Sequence, residues 1–129
     1  MLIDILVAHE RATALADINE ERKRQEELRI AGKFLWTCAD PDQSNPRKLA
    51  VLTEETGEVA REVTEEMIFQ DKVKRDPCSV KHSFLDTFSG SANRGHIKAK
   101  HRAKLREELV QVAAVCVAWI ESLDQYSKE

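Results

Sequence analysis

Three features of the sequence predict an all-α fold. Glycine and proline are sparse: Gly32, Gly57, Gly90 and Gly95, with Pro41, Pro46 and Pro77, are the full set in 129 residues, so long uninterrupted helices fit between them. Apolar residues recur at three- and four-residue steps along the stretches between these breakers. The run Val112 to Ile120 is apolar on every side, as expected of a helix surrounded by others, some of them from a second subunit. With 42% hydrophobic residues the chain can bury one ordinary core, and a single domain spanning 1–129 is expected.

The first helix is expected from Ile3 to about Ile30, where Ile3, Val7, Ala14 and Ile18 share one face and Gln25 follows on the same side. The segment "AGKFLWTCADPDQSNP" then breaks the pattern with Gly32, Asp-Pro and Ser-Asn-Pro, which are turn and helix-start signals. Ser44 or Asn45 is the expected N-cap, with Pro46 at the first helical position. The second helix is predicted from Pro46 to about Gln70, its apolar stripe formed by Leu49, Leu52, Thr56, Val59, Ala60, Val63 and Met67. Gly57 inside that helix costs roughly 1 kcal/mol relative to Ala, which suggests a close packing contact or a nearby ligand. Periodicity disappears from Asp71 to about Gly95, a long loop or excursion. The third helix is expected to begin between His96 and Ala103 and to reach about Leu123, with the polar tail "DQYSKE" fraying.

Charge and cysteine usage narrow the function classes. A formal charge of -3 and a pI near 5.9 exclude a uniformly basic nucleic-acid coat while leaving room for a local basic patch. Cys38, Cys78 and Cys116 are an odd number without a C-x-x-C pair, which argues against a disulfide framework and for a reducing, cytoplasmic setting. The opening "MLIDILVAHE" carries Asp4, lacks a basic start and is too short for an export signal, and no apolar run approaches the length needed to cross a bilayer.

The carboxylates of "LTEETGEVAREV" are the main chemical signal. At 100° per residue, Glu55, Glu58, Glu62 and Glu66 occupy one flank of the second helix beside its apolar stripe. Glu55 and Glu58 project from neighbouring turns and can share a ligand, and they repel each other unless a cation neutralises them. The third helix offers Glu108 and Gln111 on one flank, with Glu107 nearby. Oxygen donors of this kind suit Mg²⁺ or Mn²⁺ better than zinc. The competing view is a solvated helix face with local pairs such as Glu58 to Arg61.

"LTEETGEVAREV", followed by "LREELVQVAAVCVAWIE", resembles the MazG-like, all-α nucleoside triphosphate pyrophosphatase family, whose mark is E-E-x-x-E on one helix and E-x-x-D on a later one. Glu54, Glu55 and Glu58 match the first part; Glu108 matches the second, where Gln111 stands in place of Asp. "INEERKRQEELRIAGKFLW" is similar to the first helix of such proteins. The resemblance implies a helical bundle completed as a homodimer or homotetramer. It also implies Mg²⁺-dependent hydrolysis of a nucleotide between its α- and β-phosphates, giving a nucleoside monophosphate and pyrophosphate in nucleotide-pool house-cleaning. It implies metal ligation by Glu55, Glu58, Glu108 and Gln111, a catalytic set of Glu54, Glu55 and Glu58, and nucleobase contacts by Phe34 and Trp36; Glu54 or Glu62 could orient or deprotonate the water, a role the sequence does not assign. An amide at Gln111 brings no negative charge, so metal held there with Glu108 binds more weakly than with Asp.

Two other classes compete: a non-catalytic homologue that binds nucleotide or a protein partner, and a nucleic-acid-associated helical protein. The latter would use "RGHIKAKHRAK", Arg94 to Lys104, which otherwise reads as a solvated helix start or, through Lys98 and Lys104, as a triphosphate clamp. It lacks interleaved aromatics, which single-strand binding generally needs. Cys78, His82, His96 and His101 only loosely match zinc spacing and read as an ordinary loop. Trp119 is expected to pack in the core.

Overall fold

A computed structural model describes residues 1–75 and 90–126, the side chains of 90–94 excepted. Three α-helices account for most of the described residues, and no strand occurs among them: α1 is Leu2–Ile30, α2 is Asn45–Arg75 and α3 is Gly90–Tyr126. The all-α expectation is met. The chain forms two compact units, one of Met1–Thr56 with Leu109–Glu129, the other of Gly57–Glu108.

The end of α1 is set by one glycine. Gly32 adopts φ +71, in the left-handed region that costs a residue with a Cβ about 1–2 kcal/mol. Its N–H donates to the Arg29 carbonyl at 3.0 Å and the Lys33 N–H to the Leu28 carbonyl at 2.9 Å, the paired bonds of a Schellman cap. The loop that follows is held by an Asx turn, Asp42 N–H to Asp40 Oδ1 at 2.9 Å, and by bonds from α3: Gln125 Nε2 donates to the Ala39 carbonyl and Tyr126 Oη to the Pro41 carbonyl. At the start of α2 the Ser44 carbonyl accepts from Lys48 N–H at 3.2 Å, so Ser44 is the N-cap. Pro46 is the second helical residue, where a missing N–H is still harmless.

Both helices that flank the predicted excursion are longer than expected. α2 runs to Arg75 because nothing before Pro77 breaks it. α3 begins at Gly90 and passes through Gly95, since extending an established helix costs far less than starting one. The rest of the predicted excursion lies at 76–89, outside the described residues, as do Cys78 and His82.

The face that α2 turns inward differs from the predicted one. In the first unit Lys48 is buried and Val51, Leu52 and Glu55 are half-buried, while Leu49 and Thr56 are exposed. In the second unit Glu62 is buried and Glu58, Val59 and Glu66 are half-buried, while Ala60, Val63 and Met67 face solvent, the last at 61%. Leu52 and Val59 excepted, the stripe expected to form the core is the exposed side of the helix, and the glutamate flank faces inward. Pairing partners distant in sequence make this possible. Lys48 Nζ donates to Ser122 Oγ at 2.6 Å, and Lys104 Nζ lies 3.0 Å from Glu62 Oε1.

The core of the first unit is small. Cys38, Val115 and Ala118 are buried together, with Trp36, Ala39, Val51, Leu52 and Trp119 packed around them. Trp119 therefore packs as expected, and its indole N–H donates to Asn45 Oδ1 at 3.1 Å. Along α1, Ala14 and Ile18 are partly covered, whereas Ile3 and Val7 on the same stripe are 75% and 47% exposed. On α3, Val117 and Ile120 are also exposed, so the described residues do not enclose its apolar segment on every side. Among the described residues no helix is long and apolar enough to cross a membrane.

Gly57 lacks the close packing contact its cost suggested. Among the described residues, a Cβ built there meets no atom within 4 Å. Gly57→Ala is therefore expected to stabilise the fold by roughly 1 kcal/mol, and Gly32→Ala, where φ is positive, to destabilise it by about the same amount. Thermal melts of the two variants should move in opposite directions.

Candidate functional site

The first unit contains a cleft of about 280 Å³ to which every local element contributes. α1 supplies Glu21, Arg24 and Gln25; the loop behind the Gly32 cap supplies Phe34, Trp36, Thr37 and Cys38. Val51 and Glu55 come from α2, Gln111 and Val115 from α3. Phe34 and Trp36, expected from sequence to contact a nucleobase, and Glu55 and Gln111, expected as metal ligands, thus line one cavity. Trp36 is anchored by packing on the core, whereas Phe34 is 41% exposed at the mouth.

The polar wall on α1 is tightly connected. Arg24 makes two bonds of 2.7 Å to the two oxygens of Glu21, and Gln25 Nε2 donates to Glu21 Oε1 at 3.1 Å. Burial pushes the Glu21 carboxyl up, but the hydrogen bonds from Arg24 and Gln25 outweigh it and hold the group below the usual carboxylate value. Arg22, buried behind this wall, donates through NH1 to Gln25 Oε1 at 3.4 Å and through NH2 to Glu121 Oε2 at 2.7 Å. The Cys38 thiol is pushed up by burial despite the nearby positive charges of Lys48 and Arg22, so it serves as an unreactive part of the wall.

The other expected site residues are not among those that line this cleft. Glu54 is exposed on α2. Glu58 and Glu108 belong to the second unit; Glu58 pairs with Arg61, the local pairing that sequence also allowed, and Glu108 is buried. Lys98 is exposed, and Lys104 pairs with Glu62, which raises the Lys104 pKa. Glu62 itself is 2% exposed. Its Oε1 lies 3.0 Å from the Lys104 ammonium, and hydrogen bonding together with charge attraction to that group holds the pair. His101 Nδ1 stands 4.0 Å from the other oxygen and its ring is tilted against Phe69. Among the described residues, no three His, Cys, Asp or Glu side chains are grouped closely enough to hold a metal ion.

A second cleft in the first unit, about 520 Å³, is walled by Arg22, Arg29, Asp40, Glu121 and Gln125 among others. Both arginines already pair with carboxylates, Arg22 with Glu121 and Arg29 with Glu26, and the cleft has no aromatic wall. It offers a nucleotide less than the first.

Sequence reasoning missed Glu21, Arg24 and Gln25 as parts of the cleft. The signal was Gln25, a polar residue on the otherwise apolar stripe of α1. No protein-family model, curated protein or solved structure matches this chain.

Proposed function

We propose that the first cleft is the nucleotide site of a MazG-like, Mg²⁺-dependent nucleoside triphosphate pyrophosphohydrolase, a hydrolase acting on phosphoric anhydrides that serves in nucleotide-pool house-cleaning. The supporting observation is that residues suited to opposite ends of a nucleotide, aromatic Phe34 and Trp36 and oxygen-bearing Glu55 and Gln111, line one cavity. The aromatic rings give a base a surface to stack on, and Val51, Val115 and Cys38 exclude water beside it.

The donor chemistry fits a hard cation. Mg²⁺ is commonly held by one or two carboxylates with water and substrate phosphates completing its shell; Glu55 would supply one carboxylate and Gln111 a neutral amide oxygen. Bound Mg²⁺ would offset phosphate charge and acidify the attacking water. Glu55 orients that water and holds the charge balance of the site. By the family resemblance, Glu54 and Glu58 share the catalytic work, Glu108 is a further ligand, and Lys98 and Lys104 meet the triphosphate. Assembly as a homodimer or homotetramer is supported by the outward apolar residues Leu49, Val63 and Met67 of α2, which a second copy would cover.

Gln111 favours a second reading, a homologue that binds nucleotide or a protein partner without turnover, because its amide adds no charge to the site. One assay separates the two. The protein is incubated with Mg²⁺ and a panel of canonical and modified triphosphates while monophosphate and pyrophosphate are measured. Turnover supports the enzyme; saturable binding without turnover supports the second reading; neither activity contradicts both.

A further inference from the structure

Gln25 carries more information than its place in the wall. Its side-chain amide is fixed from both sides by groups that each permit one orientation. Arg22, which has only donors, faces the oxygen at 3.4 Å, and the Glu21 carboxylate, which when ionised has only acceptors, faces the nitrogen at 3.1 Å. Arg22 is itself buried and tied to Glu121, so the amide cannot turn over without stranding a guanidinium N–H against an NH₂ group. The amide nitrogen has two N–H bonds, and Glu21 takes one.

Among the described residues the second N–H of Gln25 makes no hydrogen bond, and Gln25 lines the cleft. The neighbouring Glu21 carboxylate accepts three bonds, two from Arg24 and one from Gln25, and the Thr37 hydroxyl oxygen accepts the Ala39 N–H at 3.3 Å. Beside this largely occupied carboxylate, the remaining Gln25 N–H and the Thr37 O–H are the donors of this part of the wall.

We infer that Gln25 is a specificity-determining residue that selects nucleotides whose base presents a carbonyl rather than an amino group to this wall. The inference rests on the nucleotide reading above. A carbonyl accepts the Gln25 N–H, whereas an exocyclic amino group in its place sets donor against donor and leaves both buried without partners.

The test is calorimetric titration, with Mg²⁺, of non-hydrolysable α,β-imido analogues in two matched pairs, dUTP against dCTP and ITP against ATP. Each pair exchanges carbonyl for amino on one ring carbon, with the neighbouring ring nitrogen changing from donor to acceptor. The wild-type protein is expected to bind the carbonyl member at least about fivefold more tightly, the worth of one hydrogen bond. In Gln25→Met, which keeps the volume and removes both N–H groups, the ratio should fall to about one; Gln25→Leu serves as a second variant, and circular dichroism reports whether each retains its helices. Equal affinities in the wild type, or a preference that survives in a folded Gln25 variant, overturn the inference while leaving the nucleotide site standing. If both variants fail to fold, the wild-type ratio decides. No binding of any analogue removes the nucleotide reading and this inference with it.

Discussion

Glu55→Gln is expected to lower turnover of the preferred triphosphate by on the order of 10³, with little change in the helical content of the protein. Glu55 is the acidic residue of the aromatic cleft that the sequence motif also singles out, and it stands there with the neutral Gln111. Its single negative charge is a large share of what the cleft offers a cation. Losing several kcal/mol of metal-assisted stabilisation in the transition state corresponds to about that factor. Measured as pyrophosphate release at saturating Mg²⁺ and substrate, a loss below about tenfold would mean that the charge at Glu55 does no chemical work. Gln111→Asp is expected to act in the opposite direction, tightening the apparent Mg²⁺ affinity by adding the charge the family pattern contains.

Ser122→Ala should have the largest effect on stability. Lys48 is 1% exposed and Ser122 is fully buried, and the Lys48 ammonium donates to Ser122 Oγ at 2.6 Å while the hydroxyl donates to the Trp119 carbonyl at 2.7 Å. Deleting the hydroxyl leaves a buried charged donor without that acceptor, at a cost of about 2–3 kcal/mol. For a chain of this length that is a fall of roughly 10 °C in melting temperature. Replacing both partners by apolar groups is different: the double variant Lys48→Met with Ser122→Ala removes the stranded charge and should recover most of the loss, a coupling that a double-mutant cycle reads directly. A Ser122→Ala melt within about 2 °C of the wild type would show that the ammonium is solvated by other groups.

The features legible in the sequence were those decided locally. Gly32 ends α1 because only its backbone conformation closes the cap, and Ser44 starts α2 through its own carbonyl. Phe34, Trp36, Glu55 and Gln111 were each identifiable by residue type and motif, and they share a cleft. The inward face of α2 was not legible. Periodicity identifies residues that favour leaving water, but not which chain covers them, and it cannot anticipate a lysine or glutamate buried by a partner far along the sequence. Lys48 faces inward because Ser122 meets it, and Glu62 because Lys104 does. The early start of α3 was hidden for another reason: "GSANRG" reads as a loop by composition, yet lies on the end of a 37-residue helix whose extension is nearly free once the rest has formed.

The most direct test of the nucleotide cleft uses tryptophan emission. The two tryptophans are Trp36 and Trp119, so Trp119→Phe leaves Trp36, in the cleft wall, as the sole reporter. Titration with Mg²⁺ and a non-hydrolysable triphosphate analogue should quench or shift its emission saturably, at the concentration where calorimetry records binding. Unchanged Trp36 emission while nucleotide binds, or the absence of any binding, would contradict the assignment of the base to the Phe34 and Trp36 wall.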